Sequence, residues 1–196
     1  MRVSESVSRK SVSCGLRRAT WGIAAGLLIL VAPLPGCHAS NVKGGTMNLT
    51  STSFQGSQIP AKFTCSGVGI SPQLAWSAPP AGTASLALIV TDPDAPRGTF
   101  VHWVLYDLPA QTRALPEGVP NQSQLADGSR QGRSDFDETG YGGPCPPPGS
   151  RHHYHFTLYA LDAKLNLPVG ATRAQVEAAM QGHILARGEL IGLYQQ

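Results

Sequence analysis

Six histidines and a proline-stiffened pair of aspartates carry most of the chemistry this chain could do. Asp92-Pro93-Asp94-Ala95-Pro96 places two carboxylates two residues apart. Each proline fixes its own φ and pushes the preceding residue toward extended backbone. The loop therefore aims its acids in set directions. It reads either as a turn with solvated carboxylates or as a preorganised acceptor that orients a histidine. His102 lies in a run of aromatic and β-branched residues, and His152, His153 and His155 cluster further on. An imidazole beside a fixed carboxylate can relay a proton, or hold an anion once protonated. The competing reading for each is a satisfied structural histidine.

Other chemistries find less support. There is no Gly-x-Ser-x-Gly elbow, phosphate loop or Gly-x-Gly-x-x-Gly. His153 and His155 could share a strand face, but partners for a zinc site are not evident, so no metal and no cofactor is expected. Cys65 and Cys145 sit in Gly- and Pro-rich loops. A disulfide between them, unpaired structural thiols, or a nucleophilic Cys145 served by a histidine all remain open.

The elements that must position these residues read as mostly β. Ser85–Thr91 is a short apolar run bounded by turn residues, as a buried strand should be. Thr99–Asp107 and Tyr154–Leu161 are further strands, the latter entered through Arg151–His153; Leu74–Ser77 and Leu190–Tyr194 are weaker candidates. Period-2 alternation puts Phe100, His102, Val104 and Tyr106 on one face. It puts His152, Tyr154, Phe156, Leu158 and Ala160 on one face of the later strand, with His153, His155, Thr157, Tyr159 and Leu161 opposite. His152 and Tyr154 thus form a polar pair at the rim of an apolar stripe, the setting of a small ligand pocket. Thr172 and Gln175 have capping-box spacing, and Val176, Ala179, Met180, His183, Ile184 and Arg187 continue at helical intervals as core packing. Asn121–Tyr141 is polar and reads as a long surface loop. Long turn-rich connections between strands point to an antiparallel β-sandwich with a helix near the C-terminus.

Of 15 basic residues, five fall in the first twenty positions with only Glu5 opposing them, leaving 10 basic and 11 acidic residues beyond residue 37. The formal charge of +3 therefore belongs to a leader. A nucleic-acid binder would carry a basic stripe on its folded part, so nucleic acid is excluded as a partner. The charged start and the apolar run Trp21–Ala32 read as an export signal. Leu34-Pro35-Gly36-Cys37 is similar to a bacterial lipobox, where cleavage before Cys37 exposes a thiol for lipidation. Plain secretion and a retained anchor are the alternatives. The organisation expected is a signal peptide at 1–36, a polar tether at 37–46 and one domain at 47–196. The chain would be lipid-anchored in the cell envelope, on the periplasmic side of the outer membrane in a Gram-negative host. Export leaves Cys65 and Cys145 as an even pair in an oxidising compartment, which favours the disulfide.

Four ordered motifs share one resemblance. Asp92–Pro96, Val101–Tyr106, Gly140–Gly149 and His152–Asp162 are together similar to the phosphatidylethanolamine-binding protein family, specifically its bacterial Raf kinase inhibitor-like (YbhB/YbcL) branch. Ile70–Trp76 and Gly182–Ala186 also fit, and the likeness runs from Met47 to Tyr194. The resemblance implies an antiparallel β-sandwich with a C-terminal helix and short peripheral helices, and a small anion pocket at one end. Its walls would be Asp92, Asp94, His102, the backbone of Gly143 and Pro144, His152 and Tyr154. Relatives often carry Arg where this chain has His153, which places outer-face salt bridging in question. The function implied is non-catalytic: a small phosphate-type anion or phospholipid head group held in that pocket. A protease-inhibitor-like or other protein-interaction role is the alternative.

Overall fold

The computed structural model describes residues 44–196. The expected leader, Cys37 and the tether up to residue 43 lie outside the described residues. Among the described residues the strands are β1 Gly45–Thr46, β2 Leu49–Thr50, β3 Leu74–Trp76, β4 Ser85–Asp92, β5 Phe100–Pro109, β6 Ala114–Leu115, β7 Arg130–Gln131, β8 Arg151–Leu161 and β9 Ile184–Gln195. One sheet has six strands in the order β1-β9-β8-β4-β5-β7, and a second has three, β2-β3-β6. All pairings are antiparallel except β1 with β9. The mostly β architecture, two largely antiparallel sheets sharing a core, is the one the strand pattern implies.

The runs that read as buried strands are covered on both faces. Leu86, Leu88 and Val90 of β4 join Trp103, Leu105, Phe156 and Leu158 and meet Leu49, Leu74, Trp76 and Leu115 of the small sheet. Ala87 and Ile89 turn the other way, to Val104, Tyr106, Leu161, Val176 and Met180. A strand covered on both sides has no polar alternation, which is why β4 is a continuous apolar run. Each large apolar side chain so buried contributes about 1.5–3 kcal/mol.

The helix α1 spans Arg173–Met180 and carries both halves of the expected capping box. The Thr172 N–H donates to Gln175 Oε1 at 2.9 Å. The helical stripe was expected to continue through His183, Ile184 and Arg187, and it does not. Gly182 takes φ 81°, the left-handed conformation that ends helices. Ile184 then opens β9, the long strand of which only Leu190–Tyr194 was anticipated. His183 is not a packing residue: it is exposed, with Nδ1 2.7 Å from Asp162 Oδ1. Two glycines blurred β9 in the sequence, and both answer to close approach. A Cβ at Gly188 would lie 2.7 Å from the Met47 carbonyl oxygen, and one at Gly192 would lie 2.5 Å from Ile59 Cδ1.

Two more expectations are corrected. The end of the tether is ordered chain, since Gly45 and Thr46 pair with Ala186 and Arg187. Asn121–Tyr141 is not a free surface loop. Its Gln131 is fully buried. Trp103 Nε1 donates to Gln131 Oε1 at 2.7 Å, while Gln131 Nε2 donates to the Pro120 and Gln122 carbonyls. These bonds fix the stretch against β5.

Candidate functional site

Asp92 ends β4 at the turn its proline loop begins. One carboxylate oxygen accepts the Asp94 N–H at 2.9 Å, and the other stands 2.7 Å from His152 Nδ1. Both side chains are buried, at 5% and 6% exposure. A carboxylate only accepts, so His152 carries its proton on Nδ1 and turns Nε2 to the cavity it lines.

His102 reaches the same cavity by a break in strand periodicity. The β4–β5 register slips between Val90↔Trp103 and Thr91↔Val101, leaving His102 as the extra residue. Such a bulge re-aims a side chain. Val101 and Val104 pack on the helix side, whereas Trp103 packs with Tyr154 between the sheets. His102 sits on the Tyr154 side, ring centroids 5.2 Å apart. It therefore does not share a face with Val104 and Tyr106, as strict alternation required. Its Nδ1 is 2.9 Å from the Gly142 carbonyl, and the Gly142 N–H donates back to the His102 carbonyl at 2.9 Å. Nδ1 again holds the proton and Nε2 is left free. Burial lowers the His102 pKa below that of an ordinary histidine, against an opposing pull from the Gly142 carbonyl and Asp92.

Asp92, His102 and His152 line a cavity of about 390 Å³ together with Arg97, Phe100, Phe136, Cys145, Pro146 and Pro147. Tyr154 lies behind this wall. It is wholly buried, and its hydroxyl has no hydrogen-bond partner. Burial, then the nearby Asp92 carboxylate, raise its pKa and keep the phenol protonated. Gly143 lines a smaller neighbouring hollow instead, and the Pro144 carbonyl accepts the Cys65 N–H beside the disulfide. Asp94 points outward: one oxygen accepts the His153 N–H at 2.8 Å and faces His153 Nδ1 at 2.7 Å. That bonding, with His153 the leading cause, lowers the Asp94 pKa. His153 thus makes an outer-face pair in its own right.

Of the wall residues that were not foreseen as such, three bear on the chemistry. Arg97 stood at the edge of its motif and supplies a cation. Phe136 comes from the supposed surface loop and packs edge-on against Phe100 and His102, at 4.7 and 5.4 Å. Its one signal in the sequence is an aromatic ring amid polar neighbours. Cys145 is not a nucleophile: it is bonded to Cys65, Cα–Cα 5.4 Å, across 80 residues.

The sequence from residue 50 to 195 matches the profile of phosphatidylethanolamine-binding protein. The chain belongs to that family. A UPF0098 protein of Pyrococcus horikoshii is 45% identical over 164 residues, covering 82% of each chain. One from Aquifex aeolicus is 49% identical over 156 residues, covering 78% of this chain and 91% of its own. Among solved structures, a phosphatidylethanolamine-binding protein homologue of Chlamydia trachomatis superposes with TM-score 0.70 at 43% identity, covering 77% of this chain and 98% of its own. Escherichia coli YbcL, described as a member of the mammalian phosphatidylethanolamine-binding protein family, gives 0.71 at 33% identity, covering 78% and 99%. Family membership makes this a binding protein in the general sense. In this family member, the two buried histidines His102 and His152 meet Asp92 and Arg97 at one cavity.

Proposed function

We propose that the protein holds a small phosphate-type anion, free or as a phospholipid head group, in the Asp92/His102/His152 cavity. The observation that carries this reading is the pair of buried imidazoles. Each has Nδ1 committed to the protein and Nε2 free toward a cavity that also contains Arg97. Arg97 gives permanent positive charge. A neutral Nε2 accepts a proton and does not donate one, so the anion complex needs one further proton. It comes either on a ring or on the phosphate itself. Binding therefore tightens as pH falls.

The sign follows from His102. Folding lowers its pKa, so the unfolded chain takes up the proton first and acid erodes stability below about pH 6.5. An anion that pairs with the charged ring returns part of that loss, and protects most at acid pH. Calorimetric titration with inorganic phosphate and with phosphoethanolamine, near pH 5.5 and near pH 8, measures the effect. Sulfate, which carries no proton in this range, separates ring protonation from ligand protonation. His102→Ala should weaken binding roughly 10- to 100-fold at the acid end, the equivalent of one charge-assisted bond. Equal affinity at both pH values in wild type and variant would refute the histidine reading and leave only a backbone nest.

The same reading places the protein in the cell envelope, held by a lipid on Cys37 with the domain free to meet its ligand. The support is the charged leader, the apolar run and Leu34-Pro-Gly-Cys37. Cells fed a fatty-acid analogue should label the wild-type chain and not Cys37→Ala; equal labelling would sink the anchor.

A further inference from the structure

We propose that His152 Nε2 is a phosphoryl acceptor: a small phosphoramidate or acyl phosphate entering the cavity transfers its phosphoryl group to that nitrogen. This rests on the anion site proposed above and goes beyond it, from holding phosphate to forming a bond with it. The chain contains four histidine–carboxylate pairs among its described residues. His152–Asp92, His153–Asp94 and His183–Asp162 share the same Nδ1 to oxygen distance of 2.7 Å, and His155–Glu189 is longer at 3.1 Å. Only His152–Asp92 is buried on both partners. It alone of the four opens on the cavity that holds Arg97 and His102.

Three features then combine. The Asp92 carboxylate keeps the Nδ1 proton in place, so the Nε2 lone pair is free. Arg97 and His102 stand on the same wall, where they can face the oxygens of an incoming phosphoryl group. The cavity, about 390 Å³, has room for the donor and its leaving group. With phosphoramidate the step balances simply. The Nε2 lone pair attacks phosphorus and forms the N–P bond. The donor P–N bond breaks with its electron pair going to the departing nitrogen, already protonated, which leaves as ammonia. The Nδ1 proton stays where it is, and the imidazolium so formed is held against Asp92. The reaction is stoichiometric and needs no oxidant or metal.

The three pairs with equal geometry supply an internal control. The full chain is incubated with potassium phosphoramidate, followed by intact mass and by peptide mapping at neutral pH. One acid-labile phosphoryl group on His152 is expected, formed at least roughly 10-fold faster than on His153 or His183. His152→Gln should abolish it. Asp92→Asn should slow it by roughly 10-fold, because an amide facing Nδ1 draws the neutral ring toward the tautomer that lacks a free Nε2 lone pair. His153→Ala should leave the His152 rate unchanged, with circular dichroism confirming that each variant is folded. Equal labelling of His152, His153 and His183 would overturn the proposal, as ordinary reagent chemistry. No adduct on a protein that still binds inorganic phosphate would overturn the transfer step and leave the anion site standing. No adduct and no phosphate binding would overturn both.

Discussion

Removing the Cys65–Cys145 bond, by reduction or by Cys65→Ser with Cys145→Ser, will lower the unfolding free energy by about 4 kcal/mol in the chain-entropy account. The bond closes a loop of 80 residues, and long loops gain most from closure. For a domain of this size, that should appear as a melting temperature lower by roughly 8–16 °C. The cavity should survive better than the stability. Cys145 and the prolines after it form part of its wall, but other bonds hold that strap to the segment around Cys65. The Cys65 N–H donates to the Pro144 carbonyl at 3.0 Å, and the Tyr141 hydroxyl donates to the Phe63 carbonyl at 2.9 Å. The Tyr194 hydroxyl adds a bond to Ser66 Oγ at 2.8 Å. Reduction acts first on the unfolded chain, whereas these contacts belong to the folded one. The expected result is a large fall in melting temperature with phosphate affinity changed by less than roughly 10-fold. Melts with and without reductant decide it: coincident curves would mean the bond contributes no stability.

The parts of the site that could be read from the sequence are those that obey local rules. His152 and Tyr154 alternate with Phe156, Leu158 and Ala160 because β8 pairs without interruption from Arg151 to Ala160. A strand in continuous register keeps its period. Asp92 could be singled out because flanking prolines stiffen its loop. The failures all come from geometry that is not local. His102 changes face through a bulge, and the bulge follows from how β5 registers against β4, which no spacing within β5 records. Asp94 looked equivalent to Asp92, but the chain turns between them, with the Asp94 N–H bonded back to the Asp92 carboxylate, and Asp94 went to His153 on the outer face. β9 was half hidden because Gly188 and Gly192 answer to chain that lies far away in sequence, at Met47 and Ile59. Phe136 enters the cavity wall because its loop is tied to β5, by Gln131 at Trp103 and by the Asp135 N–H at the Val101 carbonyl.

Asp92→Ala is expected to cost about 3–5 kcal/mol of stability and to abolish anion binding, while Asp92→Asn should cost less and change the pH dependence. Asp92 is 4% exposed and serves two donors at once. Alanine leaves both the Asp94 N–H and the His152 Nδ1–H without an acceptor in a buried place, at about 1–3 kcal/mol each. It also releases the His152 ring from its single orientation. Asparagine keeps the shape and can still accept the Asp94 N–H through its oxygen. Its amide nitrogen then faces His152 Nδ1 and can only donate. The neutral ring satisfies it by moving its proton to Nε2, which turns the cavity-facing atom from acceptor into donor. A phosphate dianion would then find a donor at neutral pH without a further proton. In Asp92→Asn, phosphate affinity should therefore vary less between about pH 5.5 and about pH 8 than in the wild type. Denaturant unfolding gives the stability order, and calorimetry the two pH slopes. Wild-type slope retained in Asp92→Asn would show that Asp92 does not set the His152 tautomer. Wild-type stability in Asp92→Ala would show that the buried pair contributes nothing to the fold.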